Sequence, residues 1–259
     1  MNRNTRTNLA TYLKNGLRYD GRKPTDFRDI TIETDITRSA EGSARVRIGK
    51  TEVIAGVKLA VQKPYPDRPD EGTMMVNAEL RPLASPQFET GPPGDWATEL
   101  ARVVDRGIRE SKLIDTATLC ITPGELVWNV MIDLVSINDD GNLLDAAGLA
   151  ALAALKTTKL PGLKDKMVDY EHRTNDKLPI SDAEPLPITV FSVDGHQFID
   201  PTYEEEDAYD ARLTIATNKK GELCALQKGG EGPLSIDEID KMVHLAVDKA
   251  QEVRKKLPR

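Results

Sequence analysis

Three groups of residues have types and spacings that chemistry could use. Arg102, Arg106 and Arg109 stand four and then three residues apart, so a helix places all three guanidinium groups on one face. Like charges at that spacing cost about 0.2 to 0.5 kcal/mol per pair unless an anion offsets them, and the planar guanidinium suits bidentate contact with phosphate. The competing account is a salt-bridged solvent face, because Glu99, Asp105 and Glu110 each lie three or four residues from one of these arginines.

The second group is Asn138-Asp139-Asp140-Gly141-Asn142, which precedes an apolar run. A strand, a glycine turn and a helix N-terminus can bind phosphate through free amides and the helix dipole. Here no Lys, Arg, Ser or Thr follows the glycine, Asp139 and Asp140 repel an anion, and Leu143-Leu144 opens the helix with apolar bulk. A turn followed by an N-cap is the better reading. The third group is Glu204-Glu205-Glu206-Asp207 with Asp210. Clustered carboxylates can hold Mg²⁺ or exchange protons, but such a run reads first as a solvated loop. His172, His196 and His244 are isolated, and neither G-x-S-x-G nor a P-loop occurs. Residue types and spacing alone expose no active site, and no metal or other cofactor is expected.

The elements that must position these groups follow from periodicity. Residues 4 to 15 read as a helix ended by Gly16. Ile30 to Ile36, Gly42 to Ile48, Glu52 to Val61 and Thr73 to Leu80 alternate as strands, with Gly49-Lys50 turning the second into the third. Pro-rich loops follow at 63–72 and 81–94. Asp95 is the expected N-cap of a helix to about Lys112, with Leu100, Val103, Val104, Gly107 and Ile108 as its buried stripe. Glu125 to Ile137 reads as a long central strand, and Leu143 to Thr157 as an Ala/Leu helix needing cover on several sides. The polar stretch 159–187 is read as a connection. Strands follow at Ile188 to Val193, Gln197 to Ile199, Leu213 to Thr217 and Leu223 to Gln227. A closing helix starts at Ser235 with Glu238 completing a capping box and Ile239, Met242, Val243, Ala246 and Ala250 facing inward. The expected organisation is an N-terminal helical extension (1–17), a first half (18–158), a connecting segment (159–187) and a second half (188–259). Strands then helix in each half imply an α+β fold.

Bulk properties bound the function. At 259 residues and a formal net charge of −7, the chain can build a sizeable core but lacks the basic footprint of a protein wrapped by nucleic acid. Any contact with nucleic acid must come from a local patch or a neighbouring subunit. Cys120 and Cys224 are the only cysteines and suggest a reducing compartment. The N-terminus lacks the apolar core of a secretory signal, and no run reaches membrane-spanning length, so a cytoplasmic location without membrane contact is expected.

Several blocks together resemble a known family. Arg18-Tyr19-Asp20-Gly21-Arg22 is similar to the R-x-D-G-R signature of RNase-PH-family domains. Ala40-Glu41-Gly42-Ser43-Ala44, Val76-Asn77-Ala78-Glu79-Leu80 and Glu99-Leu100-Ala101-Arg102-Val103-Val104-Asp105-Arg106 resemble the non-catalytic ring subunits of the archaeal exosome in particular. Gly91-Pro92-Pro93, Asp140-Gly141-Asn142-Leu143-Leu144-Asp145-Ala146 and Gln227-Lys228-Gly229-Gly230 extend the likeness over roughly residues 15 to 255. The resemblance implies the RNase PH fold, two similar βαβα-type halves of the ribosomal protein S5 domain 2-like kind.

Active relatives cleave RNA from its 3′ end with inorganic phosphate, which sits at a Gly-Ser/Thr-Arg element opening the helix after the central strand. At that place this chain has Asn142-Leu143-Leu144, a degenerate phosphate site. Two aspartates of the active relatives fall on Glu206 and Arg212, a degenerate acidic site. The resemblance therefore implies no catalytic residues here. It implies a hetero-hexameric ring with three copies of an active RNase-PH-like subunit, RNA-binding cap proteins, and contact between Arg102, Arg106 and single-stranded RNA. The alternatives are a self-sufficient phosphorolytic 3′ exoribonuclease, a metal-dependent one using residues 204 to 210, or a scaffold without RNA contact.

Overall fold

The computed structural model describes residues 3–258. The first half is one mixed sheet with two helices. After α1 (Arg3–Lys14), strands β1 (Ile30–Thr34), β2 (Gly42–Ile48) and β3 (Thr51–Gln62) run antiparallel. Ile48 pairs directly with Thr51, so Gly49-Lys50 is a two-residue hairpin turn, as expected. Ala44, Val46 and Ile48 are buried while Arg45 and Arg47 are only partly covered, which is the period-two alternation read from the sequence. β4 (Thr73–Glu79), α2 (Asp95–Glu110), β5 (Cys120–Thr122) and β6 (Leu126–Asn138) follow. The order is β1-β2-β3-β6-β4, with β4 parallel to β6 and β5 paired to the start of β6.

α3 (Leu143–Thr157) is the centre of the molecule. All of Leu143 to Leu155 is buried, between β2 and β3 on one side and β9 (Leu186–Val193) on the other. Cover on both sides is why its sequence lacks a polar face. Each of its buried leucines contributes about 1.5 to 3 kcal/mol relative to exposure. The small residues permit close approach: a Cβ at Gly148 would stand 2.2 Å from the Pro187 ring.

β10 (His196–Ile199), β11 (Ala211–Thr217) and β12 (Leu223–Gly229) complete an antiparallel second sheet ordered β10-β9-β11-β12. α5 (Ile236–Arg254) closes it. Ser235 and Glu238 form the expected reciprocal cap, and Met242, Ala246 and Ala250 are buried. Ile239 lies at the periphery, 36 % exposed, because α5 presents only a narrow stripe to the sheet. α1 crosses this half, with Leu9 and Leu13 packed on Phe191, Val193 and Phe198. Gly16, at φ +72°, ends its run as anticipated.

Three sequence expectations need correction. Asp95 is the first residue of α2 rather than its cap; Gly94 holds the cap position without a side-chain bond. Ile36 lies beyond β1, which ends at Thr34. The stretch 159–187 carries an antiparallel hairpin, β7 (Lys159–Lys164) and β8 (Met167–Lys177), whose mixed polarity hides its alternation. Among the described residues no helix is long and apolar enough to cross a membrane.

Candidate functional site: an arginine ridge and a neighbouring pocket

α2 buries Ala97, Leu100, Val103, Val104, Gly107 and Ile108, so Arg102, Arg106 and Arg109 are driven to the opposite, exposed face. The helix separates two grooves. One, about 750 Å³, lies against β11 and β12 and is lined by Arg102, Arg106, Thr214 and Gln227. The other, about 400 Å³, lies against β4 and includes all three arginines. Arg102 and Arg106 therefore line both grooves, whereas Arg109 lines only the second.

Their counter-charges differ. Arg109 grips Asp105 with two hydrogen bonds of 2.7 and 3.0 Å and donates to the Met74 carbonyl at 3.2 Å. Arg106 reaches Glu110 at 3.2 Å in an exposed pair. Among the described residues Arg102 has no ion-pair or hydrogen-bond partner. The salt-bridged account thus holds for Arg109 and Arg106 but not for Arg102. Its expected partner Glu99 instead accepts from Arg212 at 2.8 Å.

The two degenerate elements meet on one pocket of about 370 Å³, lined by Asp139, Leu143, Glu206, Arg212, Trp96 and Tyr209 among others. Leu143 and Leu144 are 1 % exposed and belong to the core. Asn142 occupies the N-cap position in the left-handed region, φ +64°, and its side chain does not cap the helix. The Asn142 amide donates to Glu206 Oε2 at 2.9 Å, and its side-chain nitrogen donates to Asp200 at 2.9 Å. The expected turn is present, but the acceptor that meets the start of α3 is the Glu206 carboxyl group, 64 residues along the chain.

The acidic run is not a solvated loop. Residues Tyr203–Glu206 form a single helical turn, α4, held by a Thr202–Glu205 capping box. Glu205 is fully buried against Arg18, whose Nε donates to it at 3.0 Å. Asp210 pairs with Arg6 at 2.7 Å. Part of Glu206 is open to the pocket, yet its carboxyl group is enclosed by protein. Burial, against the Asn142 amide and aided by neighbouring Asp139, raises its pKa to about 7. Burial likewise raises Asp139 above the usual carboxylate range.

Arg212 is 3 % exposed, with Trp96 5.1 Å from its guanidinium carbon. A Cβ at Gly229 would stand 2.6 Å from that carbon, so only glycine fits there while Arg212 keeps its place. Burial disfavours the Arg212 charge, but Glu99 and the Tyr209 hydroxyl more than compensate, and its pKa lies above the ordinary value. The pocket offers no hydroxyl or uncompensated guanidinium at α3, and its enclosed carboxylates disfavour phosphate. Among the described residues no three His, Cys, Asp or Glu side chains converge as metal ligands would.

One cluster escaped sequence reading. Asp200 accepts from Arg22 at 2.9 Å, from the Arg28 amide and guanidinium at 2.7 Å each, and from Asn142. Burial would raise the Asp200 pKa, but Arg28 outweighs it and holds the carboxyl below its usual value. With Arg18 on Glu205, this network clamps the segment from residue 18 to 28 onto the start of the second half. The Arg18-to-Arg22 motif was visible, but nothing around Asp200 marked it as the partner.

The comparisons agree with this architecture. The family models described as "3′ exoribonuclease family, domain 1" and "domain 2" match residues 26–161 and 184–249. The chain is 48% identical to "Exosome complex component Rrp42" of Methanocella arvoryzae over 93% of its length and 91% of that protein's. It is 45% identical to the protein of the same name from Thermococcus gammatolerans, covering 96% of this chain and 92% of that one. A chain of the structure titled "archaeoglobus fulgidus exosome with RNA bound to the active site" superposes with TM-score 0.89 at 41% identity, covering 98% of each. Two matched domain models and full-length relatives of this similarity mean that the chain belongs to the RNase PH family of 3′ exoribonucleases.

Proposed function

We propose that the chain is a non-catalytic subunit of an archaeal exosome core ring, gripping single-stranded RNA for an active RNase-PH-like neighbour. The observation that carries this reading is the Glu206 carboxyl group at the N-terminus of α3, 2.9 Å from the Asn142 amide. Phosphorolysis has to seat a phosphate nucleophile beside an RNA phosphodiester, and that seat needs fixed donors. Here the Asn142 amide at the start of α3 is already engaged by the Glu206 carboxyl group, and the Leu143 and Leu144 side chains bring no donor. The full-length relatives are named as exosome components, which supports placement in the same assembly.

Arg102 and Arg106 supply the grip. They are exposed and line the grooves beside α2, so phosphates can reach them. Contacts of this kind tolerate any RNA sequence and weaken with salt. In the ring, three copies alternate with three catalytic subunits and carry RNA-binding cap proteins, in the cytoplasm. The halves 18–158 and 188–259 act as one body around the connecting segment.

The test is an RNA degradation assay with inorganic phosphate, and separately with Mg²⁺, on the purified chain alone and after mixing with its catalytic neighbour. Silence alone, activity in the mixture, and a loss with Arg102→Ala plus Arg106→Ala are expected. Nucleoside diphosphate release by the lone chain would overturn the non-catalytic reading.

A further inference from the structure

We infer that Arg212 and Arg109 are positioning residues for the RNA grip: by holding Glu99 and Asp105, they keep Arg102 without a counter-charge. The inference rests on the reading of Arg102 as an RNA contact. On α2, Glu99 and Asp105 are the two acidic residues at helical spacing from Arg102, three before and three after it. Each is engaged elsewhere. Glu99 Oε2 accepts from Arg212 at 2.8 Å, and its other oxygen faces the Gln227 side-chain nitrogen at 3.5 Å. Asp105 gives both oxygens to Arg109.

The two holders are themselves fixed. Arg212 arrives from β11, 113 residues away, and is pinned among Trp96, Tyr209 and the backbone at Gly229. With no local pattern linking residues so far apart in the chain, this pair exists only through packing of the two halves. Arg109 is anchored to the Met74 carbonyl of β4. An exposed arginine beside a relaxed carboxylate is partly neutralised, and a phosphate then competes with that carboxylate. The penalty for one such pair corresponds to about threefold to fivefold in affinity. The positive charge at position 212 thus has a purpose apart from the pocket it lines.

The experiment measures affinity for a fluorescein-labelled oligoadenylate RNA, using the full chain assembled with its catalytic neighbour at several salt concentrations. Arg109→Gln frees Asp105 and Arg212→Met frees Glu99. Each is expected to weaken binding about threefold to fivefold and to flatten the salt dependence. Asp105→Asn should restore the first, and Glu99→Gln the second. In an Arg102→Ala background the same releasing substitutions should add nothing, an outcome that a general change of surface charge does not produce. Should Arg212→Met fail to fold, the Arg109 and Asp105 variants, on the exposed helix face, carry the test.

Wild-type affinity in both releasing variants, with Arg102→Ala still impaired, would overturn the positioning role and leave the RNA contact standing. An Arg102→Ala chain with unchanged affinity would remove the contact itself, and the positioning role with it.

Discussion

Arginines do opposite things in two regions of this protein. Around Asp200, whose side chain is 0% exposed, Arg22 and Arg28 converge on one carboxylate. Along α2, Arg102 is exposed and, among the described residues, unpaired. A buried ion must be compensated, because desolvation costs several kcal/mol and only close partners offset it. An exposed guanidinium stays hydrated and needs no partner, so it remains free for an anion from outside. Pairing here separates charges that hold the fold from a charge left exposed and unanswered.

The sharpest way to break that contrast is Asp200→Ala. It strips Arg28 and Asn142 of their shared acceptor, and should cost about 3 to 5 kcal/mol in urea unfolding. A loss below about 1 kcal/mol would mean the buried cluster is no clamp. Glu206 tests the same region through pH. Its folded pKa of about 7 lies above the ordinary 4.5, so between those values the folded chain holds more protons than the unfolded one. Stability therefore falls as pH rises through that window and levels off above it. Glu206→Gln keeps an acceptor for the Asn142 amide but cannot ionise. Relative to the parent, it should gain about 1 to 2 kcal/mol at pH 8 over its effect at pH 5.

On the exposed side the effects are smaller and fall on binding. Arg102→Ala should weaken RNA affinity about fivefold at low salt, lower the salt slope by about one, and leave stability within about 0.5 kcal/mol. Arg106→Ala should cost only about twofold, because Glu110 already neutralises part of its charge. An Arg106 effect larger than that of Arg102 would refute the link between an absent counter-charge and RNA grip.

Much of the architecture was legible in the chain itself. The α2 stripe, the β2–β3 hairpin, the Ala/Leu helix and the Ser235 cap all follow from periods of two or 3.6 residues and from capping chemistry, which act over a few positions. Arg102 and Arg106 were visible as a face for the same reason. The acidic run was misread because its polarity hid a capped turn, and position 95 because aspartate suits the first helical turn as well as the cap.

What no local pattern could reveal is which charge meets which. Arg28 and Asp200 are 172 residues apart, Glu99 and Arg212 are 113 apart, and Asn142 and Glu206 are 64 apart. Each of these pairs joins the first half to the second, where α3 is packed between the sheets. Side-chain spacing along one element decides which residues share a face. Only the packing of the halves decides whether a charge on that face is answered, and so whether it serves the fold or stays free in solvent.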